Sequence, residues 1–140
     1  MDWKLELVVV PVSDVDASKA FYMDRMGFGL LVDHQPSESF RVVQLNPPGS
    51  ACAIAIGIGL GDMSPGSLKG LHLVVNDIEA AHQQLLERGA SPSAPYSFSM
   101  TGERTDGLHP ERTDYSTFMD LTDPDGNVWL VQEVGHAAAA

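Results

Sequence analysis

Hydrophobic and polar positions follow the same order twice along the chain. An apolar stretch rich in β-branched residues at 5–12 is followed by a short polar segment and then by a helical pattern. Residues 68–75 begin a second copy of this order. Asp14 of the first copy aligns with Asp77 of the second, at an offset of 63 residues (77 − 14). The sequence therefore predicts an internal duplication in which each half begins with a strand followed by a helix.

Local signals set the expected bounds of both helices. The motifs Ser13-x-x-Asp16 and Asn76-x-x-Glu79 have the spacing of capping boxes, which satisfy free backbone N–H groups in a first helical turn. The helices are predicted to run to about residues 26 and 88. The glycines that follow, Gly27 and Gly89, are predicted as left-handed C-caps.

Strand-like segments and turns follow each helix. The turn motif Asp123-Pro124-Asp125-Gly126-Asn127 separates two apolar stretches in the second half. Each half is therefore predicted to be a β-α-β-β-β module. The predicted strands after the helices are 29–34, 39–46 and 51–58 in the first half, with 115–122 and 128–134 in the second.

We predict a single domain over residues 1–140. Module one covers about 4–58, a Gly- and Ser-rich linker covers 59–68, and module two covers about 69–135. The polar stretch 97–113 is longer than a hairpin needs, which favours a mobile flap or disorder over a fixed site. Residues 137–140 are predicted to be a frayed tail.

Composition excludes several classes of function. Eight Lys and Arg residues against 19 Asp and Glu residues give a net charge of −11, so the chain lacks the basic footprint of a nucleic-acid binder. Acidic membrane surfaces would repel it. The single cysteine, Cys52, excludes an internal disulfide. With no signal-peptide pattern and no apolar run long enough to span a bilayer, we predict a cytoplasmic protein without membrane or nucleic-acid partners.

Several motifs together resemble the vicinal oxygen chelate superfamily, which includes glyoxalase I, bleomycin-resistance proteins, fosfomycin-modifying enzymes and extradiol dioxygenases. They are Pro11-Val12-Ser13-Asp14-Val15, then Phe21-Tyr22, then Met26-Gly27-Phe28, and finally the turn motif at 123–127. The resemblance covers nearly the whole chain in the correct order. It implies an α+β fold of two tandem βαβββ modules whose mixed sheets form an open cup, with helices outside and the site inside. It also implies a homodimer.

The resemblance further locates four positions that hold a divalent cation in metal-using relatives. Here those positions are Leu7 and Gly70 on the first strand of each module, Leu130 after the turn motif, and Ala53 in the repeat-related place. None of these side chains offers a nitrogen or oxygen ligand. We therefore predict no metal and no cofactor.

Strand alternation predicts which side chains line the cup. The predicted lining is mostly apolar, which suits a flat or hydrophobic small molecule oriented by a few polar groups. The residues are Leu7, Val9, Gly70, His72, Val74, Val128, Leu130 and Gln132.

His72 and Asp120 are the candidate catalytic residues. His72 can act as a general base or a hydrogen-bond donor, or it can be a satisfied core histidine. Asp120, together with Phe118, faces the cup in one register of its hairpin and the opposite side in the other.

Two further residues complete the predicted substrate-binding set. Arg41 aligns with Phe118 in the repeat, and can bind an anionic group or pair with one of the many acids. Tyr115 can line the mouth of the cup or lie in the core or rim.

We therefore expect a metal-independent protein that binds a small hydrophobic or aromatic molecule, either as a binder or as a cofactorless enzyme. One alternative is a metal-dependent lyase or dioxygenase with displaced ligands. Another is a non-catalytic dimeric accessory module, in which the protein's own side chains fill the cup.

Overall fold

Each half of the duplication forms its own open sheet in the computed structural model, which describes residues 1–136. The predicted tail at 137–140 lies outside the described residues. The chain divides into two compact units: unit 1 is Met1–Leu68 together with Asp123–Asn127, and unit 2 is Lys69–Thr122 together with the chain from Val128 onward. The single-domain assignment stays a prediction.

Unit 1 contains a four-stranded mixed sheet and one helix. The strand order is β1-β4-β3-β2, with β1 parallel to β4 and the other pairs antiparallel. The elements are β1 Leu7–Val9, α1 Val15–Ala20 with a π-helical turn at Phe21–Arg25, β2 Gly29–Ser37, β3 Phe40–Asn46 and β4 Ala53–Ile58.

Unit 2 repeats this order with one additional strand. Its five strands lie in the order β5-β9-β8-β6-β7, and β5 is parallel to β9. The α+β class and the two tandem modules are therefore confirmed. The elements are β5 Lys69–Val75, α2 Ile78–Glu87, β6 Tyr96–Phe98, β7 Arg104–Asp106, β8 Thr117–Thr122 and β9 Val128–Glu133.

The predicted loop 97–113 contains ordered structure. Its first residues end β6, and β7 pairs with β6 in an antiparallel hairpin. The expectation of disorder was therefore wrong for this part of the segment, and a mobile flap stays a prediction. The composition concealed the hairpin because β7 is a three-residue strand of polar residues.

Aspartates, rather than the predicted serine and asparagine, cap both helices. The carboxylate of Asp14 accepts the N–H of Ala17 at 3.0 Å, and that of Asp77 accepts the N–H of Ala80 at 3.2 Å. The predicted capping boxes were therefore one residue too early. The left-handed conformation expected after each helix is confirmed, with φ of 73° at Gly27 and 81° at Gly89.

Each helix covers one face of its sheet. In unit 2, Ile78 of α2 forms a buried cluster with Met119 of β8 and Val131 of β9. In unit 1, Arg41 of β3 reaches Asp16 of α1. Because side chains alternate along a strand, the neighbours of these residues lie on the opposite face. We call the sheet face turned away from the helix the open face.

The turn after β8 belongs to unit 1, although the strands that it connects belong to unit 2. Asp123 is 4% exposed and accepts five hydrogen bonds. One carboxylate oxygen accepts the backbone N–H groups of Asp125, Gly126 and Asn127 at 2.9–3.0 Å. The other accepts the Tyr22 hydroxyl at 2.7 Å and the Asn127 amide at 2.8 Å.

Asn127 extends this network to two other segments of unit 1. Its amide donates to the carbonyl oxygen of Pro11 at 2.8 Å, and its side-chain oxygen accepts the N–H of Leu68 at 3.0 Å. The backbone of Gly66 approaches so closely that a Cβ there would lie 2.0 Å from the carbonyl oxygen of Asp125. Only a glycine at position 66 allows this approach.

Within residues 1–136, neither helix combines the length and the apolar character needed to cross a bilayer. The cytoplasmic location stays a prediction.

We expect Asp123→Asn to lower the free energy of unfolding by about 2 kcal/mol, because it leaves buried donors facing a donor. The amide nitrogen of the variant would meet either the turn's N–H groups or the side chain of Asn127. Urea unfolding measures the effect. The exposed Asp62→Asn substitution is the charge-matched control, and an equal, small effect of both variants would contradict the prediction.

Candidate functional site

The open face of unit 2 carries five of the ten predicted catalytic and substrate-binding residues in two cross-strand rows. Asp120 of β8 pairs with Leu130 of β9, which in turn pairs with His72 of β5. Asp120 lies on the open face because its neighbour Met119 is buried against α2. The register that the sequence left open is thereby decided. The second row consists of Tyr96, Phe118, Gln132 and Val74.

Three aromatic rings cluster at one side of this face. Tyr96 and Phe118 are stacked with ring centroids 5.9 Å apart and an interplanar angle of 26°. Phe98 meets both rings edge-on, at 5.9 Å from Tyr96 and 5.7 Å from Phe118. Such a cluster offers a rigid apolar surface on which a further ring can stack.

Tyr96 connects the aromatic cluster to charged groups. Its hydroxyl donates to Oδ1 of Asp120 at 2.6 Å, and the guanidinium carbon of Arg104 lies 3.8 Å from its ring centroid. Burial, together with the hydrogen bond to Asp120, raises the pKa of Tyr96 to about 12. The phenol therefore stays protonated at neutral pH and remains a donor to Asp120.

A β-bulge at Gly70 fixes the orientation of His72. Lys69 pairs with Val128 and Leu71 with Trp129, so Gly70 is the extra residue, with φ of 89°. Nδ1 of His72 lies 2.6 Å from the carbonyl oxygen of Gly70.

A carbonyl oxygen can only accept a hydrogen bond, so Nδ1 of His72 is the donor to Gly70. In the neutral imidazole, Nε2 is then an unprotonated acceptor. His72 is exposed, and this acceptor is therefore available on the open face.

Gln132 lies between these polar groups on β9. Its half-buried amide has no hydrogen-bond partner within the part of the chain that the structure describes. Leu130 and Val74 supply apolar surface beside it. An apolar floor with a few polar groups of unused hydrogen-bonding capacity is typical of small-molecule sites.

Arg41 lies on the helix side of its sheet in unit 1. Its guanidinium donates to Asp33 at 2.9 and 3.1 Å and to Asp16 at 2.9 Å. Hydrogen bonds from Arg41 and Lys19 hold the pKa of Asp33 well below its ordinary value. The structure thus places Arg41 in an ion-pair network, which is the alternative that the sequence left open.

The remaining predicted residues lie apart from the aromatic cluster. Leu7 and Val9 of β1 pair with Ala53 and Ala55 of β4, and lie on the open face of unit 1. Tyr115 is 64% exposed at the end of the long loop.

The four positions of the family's metal site do not fit a metal ion. Leu7, Ala53, Gly70 and Leu130 have no donor atoms in their side chains. Elsewhere among the described residues, Asp77, Glu133 and His136 bring possible ligand atoms within 4.8 Å of one another.

The side chain of Arg112 occupies that acidic cluster. Its Nε donates to buried Glu133 at 2.7 Å, and its guanidinium also reaches Glu79 at 2.9 Å and Asp77 at 3.6 Å. A cation would have to displace this arginine. We therefore interpret the cluster as the structural anchor of the loop that contains Arg112.

Burial alone would raise the pKa of Glu133. The hydrogen bonds from Arg112 and from the backbone N–H of Ile78 outweigh it and hold the pKa below the ordinary value.

Sequence reasoning missed Tyr96, Phe98 and Arg104, because they lie in or beside a segment interpreted as a loop. The alternation of Tyr96 and Phe98 around Ser97 was the available signal. A groove of about 700 Å³ borders this cluster and shares Tyr96 and Arg104 with it. Its other walls come from α2 and from residues 93–95 and 106–108.

The fold and this face define a duplicated βαβββ protein whose open sheet face has the composition of a small-molecule site. Residues 4–131 match the family described as the Glyoxalase/Bleomycin resistance protein/Dioxygenase superfamily. The chain belongs to this superfamily, as the sequence motifs predicted.

Solved structures from bacteria give the same assignment. TnmS3, an antibiotic binding protein from Streptomyces sp. CB03234, is 32% identical, with 94% of this chain and 96% of that chain covered and a TM-score of 0.72. A glyoxalase/bleomycin resistance protein from the same organism is also 32% identical, covering 93% and 100%, with a TM-score of 0.69. A superfamily member from Sphaerobacter thermophilus DSM 20745 is 26% identical, covering 95% and 98%, with a TM-score of 0.72. No curated protein matches the chain.

We expect Glu133→Gln to lower the free energy of unfolding at pH 7 by about 3 kcal/mol, because it leaves Arg112 without its buried anion. Because the pKa of Glu133 is lowered in the folded state, its stabilising effect is fully present above the unfolded pKa of about 4.3 and is lost as pH falls through the folded pKa. The difference between wild type and variant should therefore shrink in acid.

Urea unfolding at a series of pH values measures this difference. Glu79→Gln, which removes an exposed partner of the same arginine, is the control and should cost less than about 1 kcal/mol. A pH-independent difference for Glu133→Gln would contradict the assignment.

Proposed function

We propose that this protein binds a small hydrophobic or aromatic molecule on the open face of unit 2, without a metal ion, and acts as a binding protein. The observation that carries the proposal is the cluster of Tyr96, Phe98 and Phe118 beside polar groups with unused hydrogen-bonding capacity. Stacking on such rings contributes affinity, and the polar groups orient the ligand.

The similarity to TnmS3 supports an antibiotic as the kind of ligand. That protein is described as antibiotic binding, and it aligns with 94% of this chain at 32% identity. We therefore propose sequestration of an aromatic antibiotic as the biological role.

The geometry favours binding over catalysis. His72 and Asp120 lie two strand spacings apart, about 10 Å, so they do not form a hydrogen-bonded acid–base pair. One oxygen of Asp120 is already engaged by Tyr96. We propose that both residues orient the ligand rather than move its protons.

A homodimer remains part of the proposal. Apolar side chains such as Trp3 and Leu31 are 92% and 56% exposed in the isolated chain. A second copy of the chain would cover part of this apolar surface.

We expect Phe118→Ala to weaken the binding of a planar aromatic antibiotic by at least tenfold, because it removes a stacking surface worth about 1.5 kcal/mol or more. Fluorescence titration of the purified protein measures the affinity. Leu86→Ala, on an exposed position of α2, is the matched control for loss of an apolar side chain. Equal effects of both variants would contradict the proposed site.

We expect the untagged protein to contain less than about 0.1 equivalent of transition metal, because the four family positions offer no ligand atoms. Elemental mass spectrometry measures the content, with titrations of nickel, zinc, iron and manganese as the second step. One equivalent of bound metal that is lost in His72→Ala would overturn metal independence and restore the lyase or dioxygenase alternative.

A further inference from the structure

The hydrogen-bonding groups at the two ends of the row Asp120–Leu130–His72 are both acceptors. Oδ1 of Asp120 already accepts the Tyr96 hydroxyl, and Oδ2 has no partner among residues 1–136. At the other end, Nδ1 of His72 donates to the Gly70 carbonyl, so Nε2 of the neutral imidazole is a lone-pair acceptor. The row therefore presents acceptors on either side of an apolar residue.

The distance between these acceptors limits the size and shape of a ligand. Adjacent strands lie about 4.8 Å apart, so the two side chains rise from the sheet about 10 Å from each other. Hydrogen bonds of about 2.8 Å let the two donor atoms lie between about 4 Å apart, where both bonds run along the row, and about 10 Å apart, where both donors lie above the acceptors. One ring or two fused rings carry donors at separations within this range. Such a ligand would lie over Leu130 and against the ring of Phe118.

The carboxylate at one end of the row also favours donor groups over an anion at that end. The Asp120 carboxylate disfavours a ligand anion at this end, and the Tyr96 hydroxyl holds that carboxylate in place. Arg104 is stacked on the Tyr96 ring.

We propose that the ligand is a planar aromatic molecule with hydroxyl or amine donors on two opposite edges, one received by Oδ2 of Asp120 and the other by Nε2 of His72. This inference rests on the proposed function and specifies its ligand class. Asp120 and His72 are the specificity-determining residues, and Tyr96 is the positioning residue for Asp120.

A matched set of naphthalenes tests the proposal at pH 7.5 by calorimetric or NMR titration. The diol 2,6-dihydroxynaphthalene donates at both edges, 2,6-dimethoxynaphthalene has the same ring system without donors, and naphthalene-2,6-disulfonate is anionic. We expect the wild-type protein to bind the diol at least tenfold more tightly than the other two.

Asp120→Asn provides the sharpest variant. The Tyr96 hydroxyl can still donate to the amide oxygen, which turns the amide nitrogen, a donor, toward the ligand. The preference for the diol over the dimethoxy compound should therefore fall about tenfold, with the affinity for the dimethoxy compound kept. Asp62→Asn makes the same change of charge on an exposed loop and should alter neither affinity.

Two further variants separate the roles of the other residues. His72→Phe keeps a ring but loses Nε2, so it should reduce the diol preference several-fold. Tyr96→Phe keeps the stacking surface and releases Asp120, so it should reduce the preference while the dimethoxy compound still binds. A merely structural role of Tyr96 would weaken both compounds equally.

The same titrations distinguish an error in the ligand's donor groups from an error in the binding site itself. If the diol and the dimethoxy compound bind equally, or the disulfonate binds best, while Phe118→Ala weakens all binding, the donor proposal is wrong and aromatic binding stands. If none of the three compounds binds, both proposals are overturned.

Discussion

The buried carboxylate of Asp123 organises the structure of unit 1. Its five hydrogen bonds close the turn 123–127 and connect that turn to Tyr22 beyond helix α1. Asn127 continues the network to Pro11 and Leu68. Because the side-chain groups of Asp123 and Asn127 are all paired, the turn is buried within unit 1 without the cost of leaving them unsatisfied. The turn follows β8 and precedes β9 in the chain, and these two strands carry Phe118, Asp120, Leu130 and Gln132 of the candidate site.

The candidate site follows from the unequal covering of the sheet in unit 2. Helix α2 buries the face that contains Met119 and Val131, which leaves the alternate residues on the open face. Those residues include an aromatic cluster, two acceptors and the amide of Gln132, which has no hydrogen-bond partner among residues 1–136. A sheet with one face packed and the other available for a ligand explains how a small chain combines a stable core with a binding surface.

Two of the chain's few cationic side chains, Arg41 and Arg112, form ion pairs within the fold. Arg41 neutralises Asp33 and Asp16 in unit 1, and Arg112 neutralises buried Glu133 in unit 2. Both therefore stabilise the fold and are already paired within it. The candidate site contains Arg104, stacked on the Tyr96 ring, and the carboxylate of Asp120, whose Oδ2 has no partner among residues 1–136. That oxygen fits a ligand with donor groups at this end of the row.

The sequence by itself determined the duplication and the strand–helix start of each half, because these depend on periodic apolar positions and local turn motifs. The superfamily followed from the resemblance of its motifs to those of known members. The sequence also identified His72, Asp120, Phe118 and Gln132 as site candidates through strand alternation. The tertiary structure decided what alternation could not: the register of β8, the bulge at Gly70 and the pairing of Arg41. It also revealed Tyr96, Phe98 and Arg104 in a segment expected to be a loop. These features depend on contacts between residues far apart in the chain, and a single strand's pattern carries no information about its partner's register.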